Sequence, residues 1–249
     1  MLVHGIGGNW RIWSPVLRRL AARRDVVLVD LPGYGGSPRS EVGDASGVGP
    51  LADATARFLD GLNIETAHLA GNSMGGWVAL ELAKRGRART VTVFSPAGFY
   101  NDFGAAYLRA SLRASARVAR ALAPTADRVF DSGLWRTALY AQSMGRSWRL
   151  PGDDAAAILR AVAGSANFDA DLVAITRDRF EYDRVIPVPV TIAWGWRDRL
   201  LLPWQGRRAA RMIPGARLVL LPGVGHLPTF DDPDLVADVL LCGSAAASG

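Results

Sequence analysis

Short apolar runs that end in glycine-rich turns recur along this chain, with helix-spaced segments between them, and they restrict its fold more than any other feature. Residues 26–30 are the clearest case, a run that stops at Leu31-Pro32-Gly33-Tyr34-Gly35-Gly36. A strand of this composition is covered on both faces, as in a parallel sheet, and parallel strands need crossovers long enough to hold a helix. The pattern repeats. Leu2 and Val3 run into His4-Gly5, and Ser14-Pro15 opens a helix to about Arg23, with the serine as N-cap and the proline at the first helical position. Leu51, Ala54, Phe58 and Leu62 mark one face of the next helix, and residues 67–70 lead as a strand into Gly71-Asn72-Ser73-Met74-Gly75-Gly76. A helix from about Met74 to Arg85 stops at Gly86, and residues 91–94 form a further strand. Later, residues 188–194 restore the buried-strand pattern, residues 204–212 read as a helix and residues 218–221 as the last strand. Asp232-Pro233 then caps a closing helix to about Leu241, and the small, polar tail, residues 243–249, is expected to fray. The expected class is α/β, a mostly parallel sheet with helices on both faces.

Between these halves the alternation stops. Residues 96–184 read as alanine- and arginine-rich helices broken at Gly104, Pro124, Gly133 and Pro151-Gly152. The expected organisation is a core of residues 1–95 and 185–249 carrying a helical insertion of residues 96–184, which 249 residues accommodate in one catalytic unit. The apolar stretches are too short and too often broken by Arg, Asp or Gly to span a bilayer, and the first residues lack the basic and apolar regions of a secretory signal, so the cytoplasm is the expected location. A single cysteine, Cys242, forms no intramolecular disulfide and suggests no thiolate metal site; it reads as a small apolar residue near the end of the last helix.

The net charge of +6 is carried by arginine, Lys84 being the only lysine. Arg109, Arg113 and Arg117 recur every fourth residue and make a basic stripe on one helix, either a phosphate- or membrane-binding face or a solvated surface. No interleaved aromatic and basic motif accompanies the stripe, and the solvated reading is favoured. The expected partner is a small-molecule substrate, with neither nucleic acid nor membrane, and homodimerisation is left open.

The chemistry concentrates at Gly71-x-Ser73-x-Gly75. Placed after an apolar strand and before a helix, two glycines flanking a serine relieve crowding in a strained turn that projects the hydroxyl above the sheet edge. A serine hydroxyl needs a base, usually a histidine oriented by a carboxylate. The chain has three histidines. His4 lies in the first loop and His68 inside the strand before the serine, where packing roles fit better, whereas His226 follows the final strand in Gly223-Val224-Gly225-His226-Leu227-Pro228. The orienting acid should fall between serine and histidine; Asp198 follows the penultimate strand in Trp194-Gly195-Trp196-Arg197-Asp198. The rivals Asp231 and Asp232 come after the histidine, and Asp232 is better used as a helix cap. Charge developing on a substrate oxygen needs fixed N–H donors, which the backbones of Met74, after the serine, and Ile6, in His4-Gly5-Ile6-Gly7-Gly8, can supply. A phosphate cradle is a weak alternative for those glycines, because the dinucleotide spacing and a P-loop lysine are both absent.

These motifs, taken in order with Asp30-Leu31-Pro32-Gly33-Tyr34-Gly35-Gly36-Ser37, resemble the successive landmarks of the α/β-hydrolase superfamily over essentially the whole chain. The resemblance implies that residues 96–184 form a cap shaping an acyl or leaving-group pocket. Asparagine before the serine is similar to the elbows of carboxylesterases and of hydrolases that cleave carbon–carbon bonds in ring-fission products. The latter tend to carry tryptophan after the histidine, where this chain has Leu227-Pro228. Dehalogenase relatives use an aspartate nucleophile, against which Ser73 argues.

The expected activity is therefore hydrolysis of a carboxylic ester through an acyl-enzyme, without metal or organic cofactor. A carbon–carbon hydrolase, a cofactor-free haloperoxidase-like enzyme and a ligand receptor of the same fold are the alternatives. Phe99, Tyr100, Phe103, Tyr107, Trp135, Tyr140, Trp148, Phe168 and Tyr182 in the insertion are candidate walls for an apolar or aromatic substrate. Family members usually carry an antiparallel strand pair before the strand at Leu2-Val3. The expectation here is that this start is internal to a longer protein and that residues 26–30 present an uncovered apolar edge.

Overall fold

A computed structural model describes residues 1–39 and 46–245. Among them, six strands form one sheet in the order β2-β1-β3-β4-β5-β6, every pair parallel: β1 (Leu2–Val3), β2 (Leu28–Val29), β3 (Ala67–Asn72), β4 (Ala88–Phe94), β5 (Val190–Gly195) and β6 (Arg217–Leu221). The crossovers carry α1 (Ser14–Ala21), α2 (Val48–Gly61) and α3 (Met74–Lys84) in the first half and α9 (Trp204–Met212) in the second, and α10 (Pro228–Asp231) and α11 (Pro233–Ala245) follow β6. Between β4 and β5 the chain is helical: α4 (Asp102–Leu122), α5 (Ala126–Phe130), α6 (Gly133–Tyr140), α7 (Gly152–Gly164) and α8 (Phe168–Arg177).

Adjacent residues of each strand feed opposite cores, because side chains alternate across a sheet. Val3, Leu69, Val93 and Ile192 join Leu51 and Leu59 of α2, Trp77 and Val78 of α3 and Ala209 of α9. Leu2, Ala70, Phe94 and Ala193 join Val16 and Leu20 of α1 and Val236 and Leu240 of α11. A third cluster, including Phe130, Tyr140, Met144 and Leu159, holds the inserted helices together. α4 and α8 also reach the first core through Ala105, Leu108, Leu172 and Ile175.

Several local expectations are corrected. Trp13, not Ser14, is the N-cap of α1, because a 3-10 turn (Trp10–Trp13) precedes the helix and makes Ser14 its first residue. The strand expected over residues 26–30 is paired only at Leu28 and Val29, on the edge of the sheet, with Val26, Val27 and Leu28 half-buried rather than fully exposed. α2 buries Val48, Leu51, Ala52, Thr55 and Leu59, so its inner face is rotated from the expected one, and Phe58 and Leu62 stand 39% and 45% exposed. α4 runs through Gly104, whose N–H donates to the Asn101 side chain at 2.9 Å and so completes an N-cap instead of a break. Cys242 lies in the closing helix but is exposed, beside Arg217. Gly243 is no part of a frayed tail: a Cβ there would lie 2.2 Å from Thr92 Oγ1. Residues 246–249 of that tail are outside the described residues. Of the basic stripe, Arg109 donates to Thr176 while Arg113 and Arg117 are exposed. Among the described residues no helix is long and apolar enough to cross a membrane.

Candidate functional site

Ser73 sits between the C-terminal end of β3 and the first residue of α3 with φ 57° and ψ −121°, a conformation that L-residues rarely adopt. The surroundings enforce it. A Cβ on Gly71 would lie 2.1 Å from the Gly75 carbonyl oxygen, and one on Gly75 would lie 2.3 Å from the His4 carbonyl oxygen. Only glycine lets the turn close on itself and against the first loop. The Ser73 N–H donates to the Phe94 carbonyl at 2.9 Å, tying the turn to β4.

His226 and Asp198 come from the loops after β6 and β5, neighbouring strands whose C-terminal ends lie on the same side of the sheet as that of β3. His226 Nδ1–H donates to Asp198 Oδ2 at 2.7 Å. The other oxygen of Asp198 accepts the N–H groups of Leu200 and Leu201 at 2.9 and 2.8 Å, which fixes the carboxylate in place. Arg197 and Arg199 do not neutralise Asp198; they donate to the carbonyls of Gly145 and Ala141 in the insertion. With Nδ1 engaged, Nε2 is the imidazole nitrogen left for a hydroxyl. Ser73, His226 and Asp198 are 7%, 3% and 2% exposed.

Ser73, His226 and Ile6 line one cavity of about 350 Å³. Its floor is the first loop with Asn72 and Ser73, and its walls come from Leu112, Ser115 and Val118 of α4, Leu139 of α6, Ile158 and Leu159 of α7, and Leu227. Of the nine aromatic residues expected as candidate walls only Tyr140 lines it, and its hydroxyl donates to the Ala155 carbonyl. Phe99, Tyr100 and Phe168 are buried in the sheet-facing core, while Phe103, Trp135 and Trp148 face solvent. Aromatic residues were the wrong marker, since the faces of α4 and α7 that turn toward the cavity carry aliphatic and small side chains. Among the described residues, neither Ile6 N–H nor Met74 N–H is engaged by a protein acceptor. Met74 opens α3, where the first N–H groups have no intrahelical partner. No group of three or more His, Cys, Asp or Glu side chains arranged to hold a metal occurs among the described residues.

Three positioning elements carried no clear signal in the sequence. The Asn72 side chain donates to the Phe94 carbonyl at 3.2 Å and to the His226 carbonyl at 2.9 Å, joining the serine turn to the histidine loop. His4 is fully buried, with Nδ1 on the Gly5 carbonyl at 2.7 Å and Nε2 accepting the Leu31 N–H at 3.0 Å; burial lowers its pKa. It locks the first loop to the end of β2. Asp231 is a buried carboxylate bound to three backbone N–H groups. Asp232, by contrast, caps α11 through the Leu235 N–H at 3.2 Å, as expected. His68 bonds Thr90 at 3.0 Å within the sheet.

A model of the Alpha/beta hydrolase family matches residues 1–239. The dihydrolipoyllysine-residue acetyltransferase component of the acetoin cleaving system of Pseudomonas putida is 31% identical over 245 residues, 97% of this chain, which spans 62% of that relative's length. The epoxide hydrolase EphH of Mycobacterium tuberculosis is 35% identical over 201 residues, 76% of this chain and 91% of that protein. A thermophilic esterase from Thermogutta terrifontis superposes with a TM-score of 0.76 at 20% identity, covering 100% of this chain and 89% of the other. Sheet order, strand-to-helix serine turn, helical insertion and matched family model agree: the chain belongs to the α/β-hydrolase family.

Proposed function

We propose that the protein is a serine hydrolase that cleaves carboxylic esters with an aliphatic acyl group through an acyl-enzyme. The observation that carries this reading is the arrangement at one cavity: a serine in a strained turn and a histidine line it together, the histidine's other ring nitrogen being held at 2.7 Å by a buried carboxylate. Ser73 Oγ attacks the ester carbonyl and passes its proton to His226 Nε2. Asp198 keeps the imidazole in the required tautomer and stabilises the imidazolium. The carbonyl oxygen becomes an oxyanion facing Ile6 N–H and Met74 N–H, donors worth about 3 kcal/mol each in comparable sites. His226 returns the proton to the departing alcohol; a water then gives its proton to His226 and attacks the acyl carbon, and His226 hands that proton to Ser73 Oγ as the acid departs.

The aliphatic walls support a flexible acyl chain over a flat aromatic one. The cap assignment of residues 96–184 belongs to the same reading, since helices from that segment supply most of those walls. Turnover of p-nitrophenyl esters by the wild type and by Ser73→Ala, with fluorophosphonate labelling in parallel, tests it. Turnover and labelling should both vanish in the variant, with a rate loss of about 10³-fold or more. A folded wild type that neither turns over nor labels would overturn the reading.

A further inference from the structure

We propose that Asp231 is a positioning residue that holds the His226 loop and the wall of the substrate cavity in one register, so that the base is placed only when the insertion is docked. The inference rests on the hydrolase reading. Asp231 ends α10, five residues after His226, and is buried. Its Oδ2 accepts the Gly225 N–H at 2.7 Å and the Gly145 N–H at 2.7 Å, and its Oδ1 accepts the Arg146 N–H at 2.6 Å. One carboxylate thus bonds the residue immediately before the histidine and two consecutive residues of the insertion.

The same two segments are joined around it. Leu227 N–H donates to the Ser143 carbonyl at 2.8 Å, and the Arg146 guanidinium reaches the Asp231 carbonyl oxygen and the Asp232 carboxylate. They meet backbone to backbone: a Cβ on Gly145 would lie 2.4 Å from the Gly223 carbonyl oxygen, and one on Gly225 2.8 Å from the Gly145 nitrogen. The acid loop is tied to the same stretch through Arg197 on Gly145 and Arg199 on Ala141. Gln142 and Ser143, inside that stretch, line the cavity. Three N–H donors converging on one buried side chain need a group that accepts at both of its terminal atoms, as a carboxylate does. An amide in its place would turn an NH₂ group toward an N–H, and a methyl would leave all three donors unmet. Losing the carboxylate therefore frees the histidine loop and the cavity wall together.

The test is Asp231→Asn and Asp231→Ala, with kcat expressed per active site titrated by the fluorophosphonate probe so that misfolded molecules do not count. The expected result is a fall in kcat per titrated site of about tenfold to a hundredfold, the scale of an ångström-sized misplacement. Esters with long acyl chains should also rise in KM, because the cavity wall moves, while acetyl esters keep theirs. Fewer titratable sites with kcat per site and KM unchanged would overturn the proposal, since that is what a purely structural residue does. Should neither variant fold, amide exchange in the wild type decides. The Gly145, Arg146 and Gly225 amides should share one protection factor and open as a unit; Gly145 and Arg146 exchanging orders of magnitude faster than Gly225 would refute the coupling. Absence of labelling in the wild type would refute the hydrolase reading instead and leave the exchange result to judge the clamp.

Discussion

His4 shows how a residue of the loop packed against Ser73 can hold that loop in place without lining the cavity. Its imidazole is spent at both nitrogens, on the Gly5 carbonyl and the Leu31 N–H, and it is fully buried. A proton added to Nε2 would oppose the Leu31 N–H, so charging the ring would break the lock between the first loop and the end of β2. Burial lowers the His4 pKa from its ordinary 6.5, outweighing the opposing pull of the Gly5 carbonyl and of Asp30. A histidine with a lowered folded pKa binds fewer protons folded than unfolded. Its contribution to stability is complete above 6.5 and is lost as pH falls from there toward the folded pKa, at up to about 1.4 kcal/mol per pH unit. Unfolding of the wild type and of His4→Gln should therefore diverge with pH: the wild type's stability falls more steeply below 6.5, and the difference between the two curves isolates His4 from the other titrating groups. Parallel curves would show that the ring is not held neutral. The sequence places His4 in the first loop but does not give its partners, because Leu31 reaches it only once β1 and β2 are paired.

At the scale of elements, the parallel sheet and the strand-to-helix turn at Ser73 were legible, since buried strands and a glycine-flanked serine are local patterns. What a helix faces is not local. The face of α2 through Leu51, Ala54, Phe58 and Leu62 is apolar along its length, yet the residues the helix buries are Val48, Leu51, Ala52, Thr55 and Leu59. Gly104 was read as a helix break for the same reason, because its cap comes from Asn101 and is visible only as geometry. Asp231 carried no sequence signal beyond being an acid near a histidine, since two of its three N–H donors, Gly145 and Arg146, lie 86 and 85 residues earlier in the insertion. The α2 face can be tested directly. Leu59→Ala, at a fully buried position, should cost about 2–5 kcal/mol in urea unfolding. Phe58→Ser, one residue away, should cost less than about 1 kcal/mol despite removing the larger side chain. Equal losses would mean that the helix is rotated toward the face first expected.

For the molecule as a whole, the cavity is assembled from segments that meet only through the topology. The loop after β1 and the turn after β3 form its floor, the loops after β5 and β6 bring Asp198 and His226, the proposed acid and base, and α4, α6 and α7 from the insertion close over them. Because the proposed reacting groups sit at the sheet and most of the walls on the insertion, the proposed function predicts that chemistry and selectivity are separable. Each methylene of an acyl chain that moves from water to these walls contributes about 0.8 kcal/mol, or close to fourfold in kcat/KM. The ratio should climb with chain length at roughly that increment until the cavity is full, then level or fall. Leu112→Trp, on a wall residue of α4, places a larger side chain in the cavity and should move the optimum to a shorter chain while leaving acetyl ester turnover within about twofold, since nothing at Ser73 or His226 changes. A wild-type profile flat across chain length would remove the cavity from the selectivity argument. A uniform loss across all esters in the variant would show that wall and reacting groups are not separable.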